Sequence, residues 1–168
     1  MKAVGKNEIT EREIYLLSLP ALQDHPPNLE LPSPYFGAFL VCNSDPITDT
    51  VIVELAHSLL RQGLVYLCVW GKDCERVHDL FDDVIIEHDP CETDKSVKIT
   101  TWLDRVSLDE ALWHFLFVAF PADHYWENCK AELIVVAGDG RMASQIRERL
   151  TDQSTLRYEA LGANGGDE

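Results

Sequence analysis

Residues Glu132–Arg141, Glu-Leu-Ile-Val-Val-Ala-Gly-Asp-Gly-Arg, decide the fold. Leu133 to Ala137 are apolar without a break, and Ile134, Val135 and Val136 are β-branched. A run of this kind has no polar face, so it reads as a strand buried on both sides, which belongs to a parallel sheet covered by helices. Tyr35–Cys42 and Leu64–Trp70 have the same character. The expected architecture is α/β: a three-layer sandwich whose mainly parallel sheet of about 4–5 strands carries helices on both faces.

Working outward, Tyr35–Cys42 runs into Asn43-Ser44-Asp45-Pro46, where Asp45 suits a helix cap and Pro46 a first helical position. Ile47, Val51, Leu55 and Leu59 then recur at helical spacing, Gly63 marks the stop, and Leu64–Trp70 follows at once. Strand, helix and strand with short turns make a βαβ unit. A second helix starts near Asp73 with Val77, Leu80, Phe81 and Val84 on its inner face, although Val84–Glu87 also suits a short strand. Val97–Thr101 reads as a short strand. Ser107-Leu-Asp-Glu110 is a capping box opening an almost wholly apolar helix, Leu108–Phe120, which Pro121 ends. Met142–Leu150 makes the last helix, with Ile146 and Leu150 inward and Arg147 and Arg149 outward. The strand order expected is Leu64–Trp70, Tyr35–Cys42, Glu132–Gly138, with Val97–Thr101 beside the last.

Residues 1–34 are expected to hold an N-terminal edge strand, Glu13–Leu19, and a connector with prolines at 20, 26, 27, 32 and 34. The first ten or so residues read as frayed. Residues 35–155 form the α/β domain and 156–168 a flexible tail.

The chain of 168 residues has 29 acidic and 14 basic residues, a formal net charge of -15. That balance argues against binding nucleic acid, which needs clustered Lys and Arg. Lys72 to Lys95 is the most acidic region, with nine acids against three bases. It reads as a solvated face or as a patch docking a basic partner. No apolar run approaches the length of a membrane helix and the N-terminus lacks a signal-peptide core, so a cytoplasmic location is expected. There the five cysteines, 42, 68, 74, 91 and 129, would be reduced. Cys42 and Cys68 read as small core residues. Cys74-x-x-x-His78, with His88 and Cys91 beyond, is the nearest approach to a metal pattern, and no metal or other cofactor is expected.

Ligands of open α/β sheets bind beyond the carboxyl ends of the strands. Four such ends form the candidate crevice: Asn43-Ser44-Asp45, Lys72-Asp73 after Gly71, Thr100-Thr101-Trp102, and Gly138-Asp139-Gly140-Arg141. Helix N-termini after such turns offer N–H groups to an anion, and Lys72 and Arg141 add charge. Gly138-Asp-Gly lacks the third glycine of the dinucleotide fingerprint, and no phosphate loop or Gly-x-Ser-x-Gly elbow occurs. Ser44 and His57 do not make a dyad, and no catalytic residue is assigned.

The layout Cys-x-Trp-Gly-x-Asp-Cys (Cys68–Cys74), Thr-Thr-Trp (Thr100–Trp102) and Ser-Leu-Asp-Glu-Ala-Leu-Trp (Ser107–Trp113) resembles a small uncharacterised bacterial domain family with a Rossmann-like pattern. The resemblance covers about residues 35–150. It implies a Rossmann-like fold and bacterial origin, and no activity. The function expected is a non-enzymatic accessory domain that binds a protein partner through its acidic surface and the aromatic-rich stretch Trp113–Trp126, in its simplest form a homodimer through Leu108–Phe120 or the loop after it that leaves the acidic face for a basic partner. The alternative is a nucleotide- or phosphate-ligand-binding protein using the strand-end crevice.

Overall fold

The computed structural model describes residues 2–42, 47–91, 93 and 95–156. They form one six-stranded sheet flanked by four α-helices. The strands are β1 (Ala3–Lys6), β2 (Glu13–Leu19), β3 (Tyr35–Val41), β4 (Leu64–Trp70), β5 (Ile99–Leu103) and β6 (Cys129–Ala137). The helices are α1 (Asp49–Arg61), α2 (Cys74–His88), α3 (Leu108–Phe117) and α4 (Gly140–Thr151). The order across the sheet is β1-β2-β6-β3-β4-β5, and only the β1–β2 pair is antiparallel.

The three apolar runs are the sheet centre, β6-β3-β4, in the order expected. Their alternate residues face opposite ways. Phe36, Ala38, Leu40, Leu133 and Val135 pack with Ile52, Leu55 and Leu59 of α1 and Val77, Phe81 and Val84 of α2. Phe39, Val41, Ile134 and Val136 pack on the other face with Leu112, Phe115 and Leu116 of α3 and Ile146 and Leu150 of α4. Helices therefore cover both faces, and each face has its own apolar core. No helix among the described residues is long and apolar enough to cross a membrane.

Four expectations are corrected. The sheet has six strands, not four or five. β5 pairs with β4 at the far edge, not with β6. Its place beside β6 is taken by β2, which runs parallel to β6 over seven residue pairs. Glu13–Leu19 is thus an interior strand, and the edge is β1, formed by residues that read as frayed. Sequence hydropathy marks which residues are buried and says nothing about which strand lies next to which.

Helix boundaries differ in detail. α1 begins at Asp49 with Thr48 as its cap. The earlier turn, Asn43-Ser44-Asp45-Pro46, and the tail from 157 lie outside the described residues. Gly63 ends α1 with φ of 103°, and a Cβ there would lie 1.9 Å from the Pro34 carbonyl oxygen. Only glycine fits both demands. Val84–Glu87 belongs to α2. Ser107 caps α3 by accepting from the Glu110 amide at 3.1 Å, and the helix stops at Phe117. Asp123–Asn128 forms a short 3-10 helix before β6.

Candidate functional site

The chain runs outward from β3 to β4 and β5, then returns to β6 on the other side of β3. The reversal of strand order therefore lies between the carboxyl ends of β3 and β6. Asn43, Ser44 and Asp45, the turn after β3, lie outside the described residues. The turn after β6 is Gly138 to Arg141. Gly138 has φ of 72°, and the Asp139 side chain accepts from the Met142 amide at 2.9 Å, capping α4. A carboxylate thus already occupies the helix N-terminus that an anion would need. Gly140 has open space where a Cβ would stand, so no close backbone approach requires glycine there. The Arg141 side chain is exposed.

Lys72 and Asp73 follow β4, one strand further out. Asp73 accepts from Arg76 Nε at 3.0 Å, and Arg76 also reaches the Asp49 carboxylate and the Ile47 carbonyl. Asp73 is therefore part of a tie between the N-terminal ends of α1 and α2, and makes no side-chain cap bond. Lys72 borders a cleft of about 210 Å³ with Trp70, Leu103 and Arg105.

Thr100, Thr101 and Trp102 lie within β5 rather than at a strand end. β5 is three strands from β6, about 14 Å across the sheet. The predicted residues therefore do not converge on one crevice. Thr100 instead joins a cluster with α2. Its hydroxyl donates to Asp82 Oδ1 at 2.7 Å and lies 3.0 Å from His78 Nε2. The other ring nitrogen of His78 is 3.2 Å from Asp79 Oδ1, and the Trp102 ring packs on His78 with centroids 4.6 Å apart. His78 is buried, whereas Trp102 is 46% exposed and Ile99 39% exposed. Cys74, one turn before His78, is buried. Among the described residues no group of three or more His, Cys, Asp or Glu side chains is placed to hold a metal.

A second polar cluster was not read from the sequence. Glu132 is fully buried on β6, on the α3–α4 face. Asn7 Nδ2 donates to both its oxygens at 3.2 and 3.1 Å, Tyr66 donates its hydroxyl at 3.3 Å, and Arg12 Nη1 lies 3.7 Å away. Gly37 makes the Tyr66 contact possible. A Cβ there would fall 1.9 Å from Tyr66 Cζ, so the phenol crosses β3 where its side chain is missing. Arg12 Nε donates to the Cys129 carbonyl at 2.9 Å, and Nη1 is buried without a hydrogen-bond partner. The guanidinium lies 4.8 Å from the Trp126 ring centroid. Burial pushes the Glu132 carboxyl up to about 7, against the opposing pull of Asn7 and Arg12. Glu132 is shut off from solvent, so the network acts on the fold, joining the β1–β2 hairpin to the sheet centre. The available signal was a charge inside a strand otherwise buried on both faces, which requires a buried partner.

Residues 14–153 match the model of a domain of unknown function, DUF7684. The chain belongs to this family. The match starts in β2 and ends just after α4, so it takes in the five parallel strands and all four helices, and leaves out β1 and Arg12. Neither a curated protein nor a solved structure matches the chain. An uncharacterised family is what the sequence motifs suggested.

Proposed function

We propose that the chain is a non-enzymatic accessory domain that binds another protein, and that a basic partner docks on the face made by α2 and β5. The observation that carries this is Trp102. It is 46% exposed on an edge strand and packs on a histidine whose ring nitrogens face Asp79 and Asp82. Asp79, Asp83, Glu87 and the apolar Ile86 are exposed on the same helix. An aromatic anchor within a polar rim is the usual make-up of an interface. The candidate residues nearest to chemistry support the non-enzymatic part. Asp139, Asp73 and Thr100 are each committed to bonds that hold the fold.

The test is charge reversal. Partners retrieved from the native host by the wild-type chain at moderate salt, where long-range attraction is partly screened, are expected to be lost from a variant with lysine at Asp79, Asp82 and Asp83. Retention of every partner by a folded variant refutes the reading. A homodimer through the helix Leu108–Phe120 or the loop after it is a narrower possibility: Ala111, Leu112, Phe115 and Leu116 are buried within the chain, which leaves Val118 and Trp126, 41% and 45% exposed, as the apolar surface for it. Light scattering that finds a dimer would restore it.

One observation favours a second reading, a phosphate or nucleotide ligand. Lys72 and Arg105 both border the cleft at the carboxyl ends of β4 and β5. A thermal-shift screen with nucleotides and inorganic phosphate tests it, since a ligand at 100 times its dissociation constant adds about 2.7 kcal/mol of stability.

A further inference from the structure

We propose that the partner binds by strand addition: an extended segment with lysine or arginine at alternate positions, and apolar residues between them, pairs with the free edge of β5. This rests on the basic-partner reading above and specifies how that partner is held. β5 pairs with β4 over five consecutive residues with no shift of register, and among the described residues nothing pairs with its other edge. Proteins usually blunt such an edge with a charge, a proline or a bulge. Ile99-Thr-Thr-Trp-Leu103 has none of these.

The two faces of β5 dictate what an added strand would carry. Thr100 and Trp102 face α2, where Asp79 and Asp82 stand beside His78. Leu103 packs with the apolar core on the α3 side, and Ile99, in the same alternation, is 39% exposed. Successive residues of an incoming strand alternate between these faces. Cations on the α2 side would meet the carboxylates and the Trp102 ring, while apolar residues on the other side would extend the core past Ile99 and Leu103. Main-chain pairing then supplies affinity and the alternation supplies specificity.

The same charge argues against a second copy as occupant. Antiparallel pairing of β5 with its twin about an axis normal to the sheet would leave both α2 helices on one face, side by side. α2 carries Glu75, Asp79, Asp82, Asp83 and Glu87 against Arg76 alone, so the two would repel.

The experiment titrates the intact chain with a peptide of alternating lysine and valine, long enough to span β5, followed by tryptophan fluorescence, compared with that of a Trp102→Phe variant, and by amide spectra. Two controls accompany it: the same peptide N-methylated at alternate amides on its pairing edge, and one with glutamate for lysine. Binding of the lysine peptide is expected, with β5 amides newly protected from exchange. N-methylation should weaken it about tenfold or more by removing several main-chain bonds, and the glutamate peptide should not bind. If the N-methylated peptide binds as well as its parent, strand addition is wrong, and the acidic docking reading stands. If the glutamate peptide binds equally, both are wrong. If no peptide binds while charge reversal still releases the natural partner, strand addition is again the part that fails.

Discussion

The two edges of the sheet are built in opposite ways. β1 is four residues long, contains Gly5 and ends in Lys6, and its register with β2 slips between Ala3 and Gly5. Its turn is closed by the Asn7 amide donating to the Arg12 carbonyl at 2.8 Å, and by the Asn7 side-chain oxygen accepting from the Ile9 and Thr10 amides. From both ends of that turn, Asn7 and Arg12 reach the buried carboxylate of Glu132. β5 is regular, uncharged and partly apolar on its exposed parts, and its polar contacts with α2 are only partly buried, through Thr100 and the half-exposed Asp82. One edge is short, irregular and tied to the interior by charge. The other has the features that pairing with a further strand requires. Edges that proteins leave unprotected are hazards unless they are used, and this contrast is the reason to place a partner at β5.

The largest effect should come from cutting the tie at the closed edge. Above pH 7, where Glu132 is ionised, Glu132→Leu leaves the Arg12 guanidinium buried without a counter-charge, and about 3–5 kcal/mol of stability should be lost in urea titrations. A loss below 1 kcal/mol would mean that the hairpin is not held by this network.

The pH dependence sharpens the same point. Glu132 has its carboxyl raised to about 7 from an ordinary value of 4.5. The folded chain therefore keeps a proton that the unfolded chain has released. Its contribution to stability falls as pH rises from about 4.5 through about 7 and is level beyond, by an amount of order 3 kcal/mol. Glu132→Gln should remove that part of the slope. Equal slopes in the two proteins would show that burial does not perturb this carboxyl.

Gly37→Ala comes next, at about 1–3 kcal/mol, because its Cβ would displace the Tyr66 ring from across β3. At the open edge, Thr100→Val should cost only about 1 kcal/mol, since Asp82 keeps access to water. A larger loss there would erase the contrast between the edges. The smallest effect concerns thiols. Burial pushes Cys42 and Cys68 up to about 12 and Cys129 to about 11, and Cys74 is also raised. Only Cys91, exposed in the loop that leads to β5, should react with a thiol reagent in the native state.

The sequence made the sheet centre legible and left its edges obscure. β3, β4 and β6 are apolar on both faces because helices cover both, so their composition alone identifies them. Ala3–Lys6 is too short to register as a strand, and its place depends on pairing with a strand that is itself recognised only weakly. Val97–Thr101 has the pattern of a strand within two residues of β5, but pairing partners leave no trace in hydropathy, and the expected place beside β6 is on the wrong side of the sheet. The candidate residues suffered for the same reason. A rule about strand ends needs the strand order, and with β5 at the far edge Thr100 and Trp102 cannot face Gly138–Arg141. They meet His78 and Asp82 of the acidic helix instead, which brings together two features that had been read separately. Glu132 stood at the head of the deciding run, yet its partners Asn7 and Arg12 are at the other end of the chain, and nothing local announces them.

Residue-resolved amide hydrogen exchange, with and without the lysine–valine peptide, tests the central claim that one edge is closed and the other open for a partner. Amides of β2 and β6 should be protected in the free chain. The outer amides of β5 should exchange rapidly alone and slow down when the peptide is added, with β1 unchanged. Protection of all β5 amides in the free chain, or no change at β5 on adding a peptide that binds, would contradict the account.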